Sequence, residues 1–87
     1  MRIKEGYLLR EVAGNHVVVP TGKASLDFSG MITLNGTGAF LWKQLAADKS
    51  EQELLMALLE EYDIDEAAAR ADIAEFLAKL KAAELFE

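Results

Sequence analysis

The sequence predicts an α+β fold, in which a three-stranded antiparallel sheet is followed by three helices in a winged-helix-like arrangement. Two observations lead to this prediction. Up to Leu34, apolar and β-branched residues form short extended runs that turn residues separate, a pattern typical of antiparallel strands. After Leu34 the apolar residues recur with a helical period, which indicates amphipathic helices. Strands followed by helices favour a domain whose helices cover one face of the sheet.

The strands are delimited by turn residues. Ala13-Gly14-Asn15 supplies a tight turn after the first strand, and Pro20 ends the second because proline has no amide to donate to a ladder. The third strand is expected to be bent or interrupted at Ser29-Gly30. The predicted strands are residues 7–12, residues 16–19, and residues 26–28 with 31–34.

The helices are delimited by capping residues. Asn35 and Asp65 are strong N-cap residues, and Ser50 with Glu53 forms a capping box in which each residue bonds the backbone amide of the other. The predicted helices are residues 36–47, a second that begins at Ser50 and repeats apolar residues to Tyr62, and a third from residue 66 to about 83. Leu85-Phe86 closes the chain as a short apolar tail.

The Gly36-Thr37-Gly38 stretch has two interpretations, a phosphate cradle or the start of a helix. A dinucleotide fingerprint needs a third glycine where this chain has Leu41, and a P-loop needs a lysine after the glycines. A helix start after the Asn35 cap fits better, because glycines in a first turn allow the preceding strand to approach closely.

Length and composition predict one small domain spanning residues 1–87. The chain has no cysteine and no signal peptide, so a reducing cytoplasmic setting is expected, with no apolar run long enough for a membrane. The net charge is −6, divided into +2 over residues 1–24 and −8 over residues 25–87. This acidity argues against nucleic acid. His16 is the only histidine, so we expect neither catalysis, nor a metal, nor a cofactor.

The chain is therefore expected to bind a partner, and two features suggest where. The third strand contains no lysine or proline that would protect its edge, so an extended peptide could add to it. The third helix carries a stripe of alanines, Ala71, Ala74, Ala78 and Ala82. That stripe indicates either the close approach of another backbone or simply high helix propensity.

Residues around these features resemble the PqqD family, named for pyrroloquinoline-quinone biosynthesis. The resemblance covers essentially the whole chain, in the stretches FSGMITLNGTGAFLWKQL and SEQELLMALLEEYDIDEAAARADIAEFLAKL. The matching elements are Leu34-Asn35, Thr37-Gly38-Ala39, Leu41-Trp42, the helix ending at Tyr62, Ala71-Asp72-Ile73, Phe76-Leu77 and Leu80. The connection from Thr21 to Gly30 is longer than in the founding members, so the chain resembles the broader set of PqqD-like proteins.

The resemblance implies a cytoplasmic peptide chaperone for precursors of ribosomally made, modified peptides. The leader segment of the precursor would add to the third strand, beside the third helix, and be presented to a modifying enzyme, often a radical S-adenosylmethionine protein. The chain itself would be a monomer or weak dimer. The expected peptide-binding residues are Met31, Ile32, Thr33 and Leu34 on the strand and Asp72, Glu75, Phe76 and Lys79 on the helix.

Two other functions stay open at this stage. A winged-helix domain could bind DNA, although five acidic and three basic residues between Asp65 and Glu84 make a poor recognition helix. The second alternative is a purely structural subunit or a dimerisation domain. Strand alternation also means that about half of the strand candidates must face the core.

Overall fold

A computed structural model describes residues 1–22 and 32–87 of the chain. Three strands precede three helices, which confirms the predicted α+β class. The elements are β1 (Tyr7–Val12), β2 (Asn15–Pro20), β3 (Ile32–Leu34), α1 (Gly36–Gln44), α2 (Glu51–Glu61) and α3 (Glu66–Ala82). The strand segment predicted at residues 26–28, and Met31, lie outside the described residues.

The sheet is antiparallel, and β2 is its central strand. Ala13 and Gly14 both have positive φ, 52° and 82°, which is the geometry of a two-residue hairpin turn. Val12 therefore pairs with Asn15, and β2 begins one residue earlier than predicted. Pro20 belongs to β2 as its last residue, whereas the sequence predicted an end before it. The Thr21 N–H donates to the Gly6 carbonyl at 2.7 Å, so backbone pairing continues past the proline.

α1 begins as its sequence predicts. The Asn35 side-chain oxygen accepts from the Gly38 N–H at 2.7 Å. A Cβ on Gly38 would lie 3.2 Å from the Leu34 Cβ, so glycine permits the close approach of strand and helix there. The helix ends at Gln44 rather than at residue 47. The N–H groups of Ala46 and Ala47 bond carbonyls three residues back, so the last turn tightens and no longer follows the α-helical pattern.

α2 begins with the complete capping box. The Glu53 N–H donates to the Ser50 Oγ at 3.1 Å, and the Ser50 N–H donates to the Glu53 Oε1 at 3.0 Å. The bond from the Ser50 amide lowers the pKa of the Glu53 carboxyl below its ordinary value of 4.5. The helix start is therefore most favourable when Glu53 is ionised.

This capping box predicts a specific sensitivity to acid. The folded-state pKa of Glu53 lies below the unfolded value, so its contribution is present above pH 4.5 and is lost as pH falls through the folded pKa. Glu53→Gln keeps a capping side chain that does not titrate. We expect the free energy of unfolding, measured in urea from about pH 7 to about pH 3, to fall more steeply for the parent than for the variant. Parallel curves would contradict this, and Ser50→Ala should cost about 1 kcal/mol at neutral pH.

α3 ends in a Schellman motif that directs the last residues into the core. Glu84 has a φ of 56°, the Leu85 N–H donates to the Leu80 carbonyl, and the Glu84 N–H donates to the Lys81 carbonyl; these are the two bonds of the motif. Leu85 is fully buried. The predicted tail is thus part of the fold, because Phe86 forms an antiparallel bridge with Ile3.

The core lies between the inner face of the sheet and the three helices. Leu41 of α1, Leu58 of α2 and Leu80 of α3 are fully buried and belong to one hydrophobic cluster with Val18 of the central strand. α3 contacts both other helices. This packing also fixes α3 relative to β3, because Leu34 belongs to the same cluster as the buried residues of α3. None of the helices in the described part of the chain is long and apolar enough to cross a membrane.

Candidate functional site

Among the described residues, β3 is an edge strand of the sheet. Its residues pair with β2 through Ile32 to Val18, Thr33 to Val17 and Leu34 to His16. Within residues 1–22 and 32–87, no strand pairs with its other side. That side faces α3, and the space between the two elements is called the β3–α3 groove below.

The side chain of Lys79 crosses the β3–α3 groove. The Lys79 Nζ on α3 donates to the Thr33 carbonyl at 3.2 Å. In an antiparallel strand the N–H and C=O of one residue point to the same side. We infer that Thr33 directs both groups toward α3, while its neighbours direct theirs toward β2. The strand therefore offers one donor and one acceptor to the groove, and Lys79 occupies the acceptor.

The groove narrows to a small hollow at the start of α1. The hollow has a volume of about 30 Å³, which is enough for roughly one water molecule. It is lined by Leu34, Asn35, Thr37, Gly38, Asp72, Glu75, Phe76 and Lys79. Leu34 and Phe76 are each 4% exposed, so their side chains form its apolar floor while belonging to the core.

The rim of the groove is predominantly acidic. Asp72 is half-buried and Glu75 is exposed, and within the described residues neither carboxylate has an ion-pair partner. Lys79 is the cation of the lining, and its ammonium is bonded to the backbone of β3. Two free carboxylates make this side of the groove suited to basic groups and unsuited to a phosphate backbone.

The structure brings most of the predicted site residues together. Leu34, Asp72, Glu75, Phe76 and Lys79 line the same hollow. Thr33 joins them through its carbonyl, and its side chain is exposed. Ile32 is half-buried and packs against the core, so its side chain faces inward with Leu34. Met31 lies outside the described residues.

Three lining residues were not among the predicted ones: Asn35, Thr37 and Gly38. The sequence assigned them only to the start of a helix, and the structure gives them that role as well. The Gly38 N–H is bonded to Asn35, so this first-turn amide is not free for a phosphate. Their position next to Leu34 in the sequence could have predicted this, because a helix that starts at the end of the edge strand must border the groove. No group of residues in the described ranges could hold a metal ion.

Comparison with known proteins gives a family match and two structural likenesses. The sequence matches the family described as Coenzyme PQQ synthesis protein D (PqqD) over residues 15–85. No curated protein sequence matches the chain.

The structural likenesses extend over nearly the whole chain. TbiB1, solved in complex with the TbiA(beta) leader peptide, has a TM-score of 0.74 and 23% identity over 100% of this chain and 95% of that one. A lasso peptide synthetase B1, complexed with the leader peptide, has a TM-score of 0.67 and 21% identity over 93% of this chain and 89% of that one. At these identities the likeness concerns the fold.

Proposed function

The chain belongs to the PqqD family, and we propose that it binds the leader segment of a ribosomally made precursor peptide in the β3–α3 groove. The observation that carries this proposal is the side of β3 that no strand in residues 1–22 and 32–87 pairs with, and that faces α3 across an acidic groove. The two proteins of similar fold were both solved with leader peptides, which supports the same ligand class here.

Binding would proceed by strand addition. Thr33 offers its N–H and C=O to the groove, and an extended leader residue can exchange both bonds with it. The Lys79 ammonium must then share the Thr33 carbonyl or leave it. Because Lys79 also lines the hollow, its departure would enlarge a space that otherwise admits about one water molecule. A short apolar leader side chain could then reach Leu34 and Phe76.

The charges of the groove define the leader further. Asp72 and Glu75 lie one helical turn apart on α3 and are free of ion pairs within the described residues. A leader with basic residues beside its apolar anchor would pair with them at a partly desolvated site. Strand bonds then supply main-chain affinity, and these carboxylates together with the hollow supply selectivity.

The chain would have no catalytic step or cofactor of its own. It would present the bound leader to a separate modifying enzyme, and the family resemblance favours a radical S-adenosylmethionine protein. We propose that it acts as a monomer or weak dimer, because an obligate dimer through β3 would occupy the edge that the leader needs.

Amide chemical shifts test this assignment. Short open reading frames beside the gene supply candidate leaders, and each is titrated into isotopically labelled protein. We expect saturable shifts at residues 31–34 and 72–79. A leader that binds with shifts confined to β1 or α2 would exclude the β3–α3 groove.

Neutralising the rim tests its charge. For a leader with basic residues, Asp72→Asn combined with Glu75→Gln should weaken binding about fivefold at low salt, since exposed pairs contribute up to about 1 kcal/mol. The difference should shrink at high salt. The matched control is Glu60→Gln with Glu61→Gln, which changes the net charge equally on exposed residues of α2. Calorimetry measures the affinity of both double variants for the leader. If both lost the same affinity, the leader would be attracted by the net charge of the protein rather than by contacts in the groove.

A further inference from the structure

A second cavity lies at the other end of α1. Its volume is about 460 Å³, within the range of about 300–1,000 Å³ typical of ligand sites. Its lining residues come from the N-terminal segment, from β1, and from the last turn of α1 with the two residues that follow it. Its apolar surface comes from half-buried Tyr7 and Leu9 and from the part of Trp42 that is accessible, which is 9% of that residue. It shares no lining residue with the hollow of the β3–α3 groove.

The rim of this cavity is cationic in an otherwise acidic protein. Among the described residues, Arg2, Lys4 and Lys43 line it, and Glu5 is the one acidic residue of the lining. Arg2 has a distant ion pair of 3.9 Å with Glu87. Lys4 and Lys43 are exposed and, within residues 1–22 and 32–87, have no ion-pair partner. One of these ammonium groups belongs to the N-terminal segment and the other to the last turn of α1, and both residues line the cavity.

We propose that this cavity is a docking site for an acidic segment of a partner protein that inserts one large apolar side chain. The apolar surface around Trp42 would receive the side chain, since buried aromatic anchors carry much of the energy at protein interfaces. Lys4 lies in the N-terminal segment and Lys43 in the last turn of α1, so we expect the complementary segment to carry acidic residues on both sides of its anchor. The charge contrast also favours fast, oriented association.

The site does not depend on leader binding in the β3–α3 groove. α1 has nine residues and is therefore about 13 Å long, with Gly38 of its first turn at the groove and its last turn at the cavity. One short helix thus separates the two sites, and we expect that both can be occupied together. The domain could hold a leader at one end of α1 and a second protein at the other.

The fluorescence of Trp42, the only tryptophan, reports directly on this cavity. The probe is a five-residue peptide with a central phenylalanine and two glutamates on each side, titrated into the full chain. We expect a saturable change in emission with a Kd of about 1 mM or tighter. The peptide with lysines in place of the glutamates should bind at least about tenfold more weakly, and salt should weaken the acidic peptide.

A matched pair of charge reversals tests the location. Lys43→Glu should weaken the acidic peptide at least about fivefold. Lys81→Glu should leave it unchanged, because Lys81 has the same position in the last turn of α3 but does not line the cavity. Circular dichroism checks that both variants fold.

The proposal would be overturned by equal binding of the acidic and basic peptides, by equal effects of the two reversals, or by amide shifts at residues 72–79 rather than 42–46. Emission of the protein alone that changes with its concentration, together with a dimeric mass, would assign the cavity to a second copy and also overturn it. A leader that fails to bind the groove affects none of these measurements.

Discussion

Thr33→Pro is expected to weaken leader binding by about 30-fold or more, while the domain stays folded. Proline removes the one amide that β3 directs into the groove and places its ring where an added strand must approach. The loss of that bond and the poor fit together correspond to about 2 kcal/mol. The proline should be tolerated by the sheet, because we infer that Thr33 directs its amide away from β2, and its side chain is exposed.

The controls for this substitution separate the amide from the side chain. Thr33→Val keeps the amide and should change the Kd less than about twofold. Thermal melting shows whether the proline variant folds. If the proline variant does not fold, the same hydrogen bonds are tested on the unaltered protein with two methylated leaders. One leader is methylated on its odd-numbered backbone nitrogens and the other on its even-numbered ones. Only one of the two sets faces β3, so one of the two leaders should lose binding. Unchanged binding of both methylated leaders, or unchanged binding by a folded proline variant, would exclude strand addition at β3.

Leu54→Ala is expected to have a large effect on stability, about 3 kcal/mol. Leu54 is fully buried in the cluster that joins α2 to the rest of the core. A chain of 87 residues has a free energy of unfolding of about 4–13 kcal/mol, so this one truncation removes a large share of it. The reason is the cavity left when three side-chain carbons are lost from a packed site.

Met56→Ala provides a matched control in the same helix. Met56 is 56% exposed, and alanine is the better helix former, so its effect should stay within about 0.5 kcal/mol. Urea unfolding followed by circular dichroism measures both variants. If Leu54→Ala and Met56→Ala lowered the free energy of unfolding by similar amounts, α2 would not face the core with Leu54 as described.

Most of the fold was predictable because its signals are local. The Asn35, Ser50 and Asp65 caps each lie within three residues of the amide they bond, so the sequence locates helix starts well. The end of α1 was predicted three residues late, because Leu45 continues the helical spacing of apolar residues. The backbone there has already changed to bonds between residues three apart. The start of β2 depended on whether the hairpin turn has two or three residues. Its geometry rests on the positive φ of Ala13, which alanine rarely adopts.

The site was less predictable because it joins residues that are distant in sequence. The edge of β3 could be judged only by its own residues, and these contain no lysine. The structure supplies a lysine from α3, 46 residues further along the chain. Asn35 and Gly38 were recognised as helix-start residues, but their place in the groove depends on the packing of α3 against α1. The spacing of apolar residues identified the face of α3 that packs into the core. It did not predict which of the other residues of α3 lie beside β3.

The hydrogen bond from Lys79 to Thr33 has a consequence for solubility. An exposed strand edge is a template on which identical chains can pair and aggregate. A strand that receives a peptide cannot carry a permanent block such as an internal proline or a bulge. A lysine supplied by a neighbouring helix is a removable block: its charge opposes a second β3 edge, and its flexible side chain can yield to a ligand. We expect the Lys79 ammonium to oppose self-association through β3, and on the proposed function it would still yield this edge to a leader.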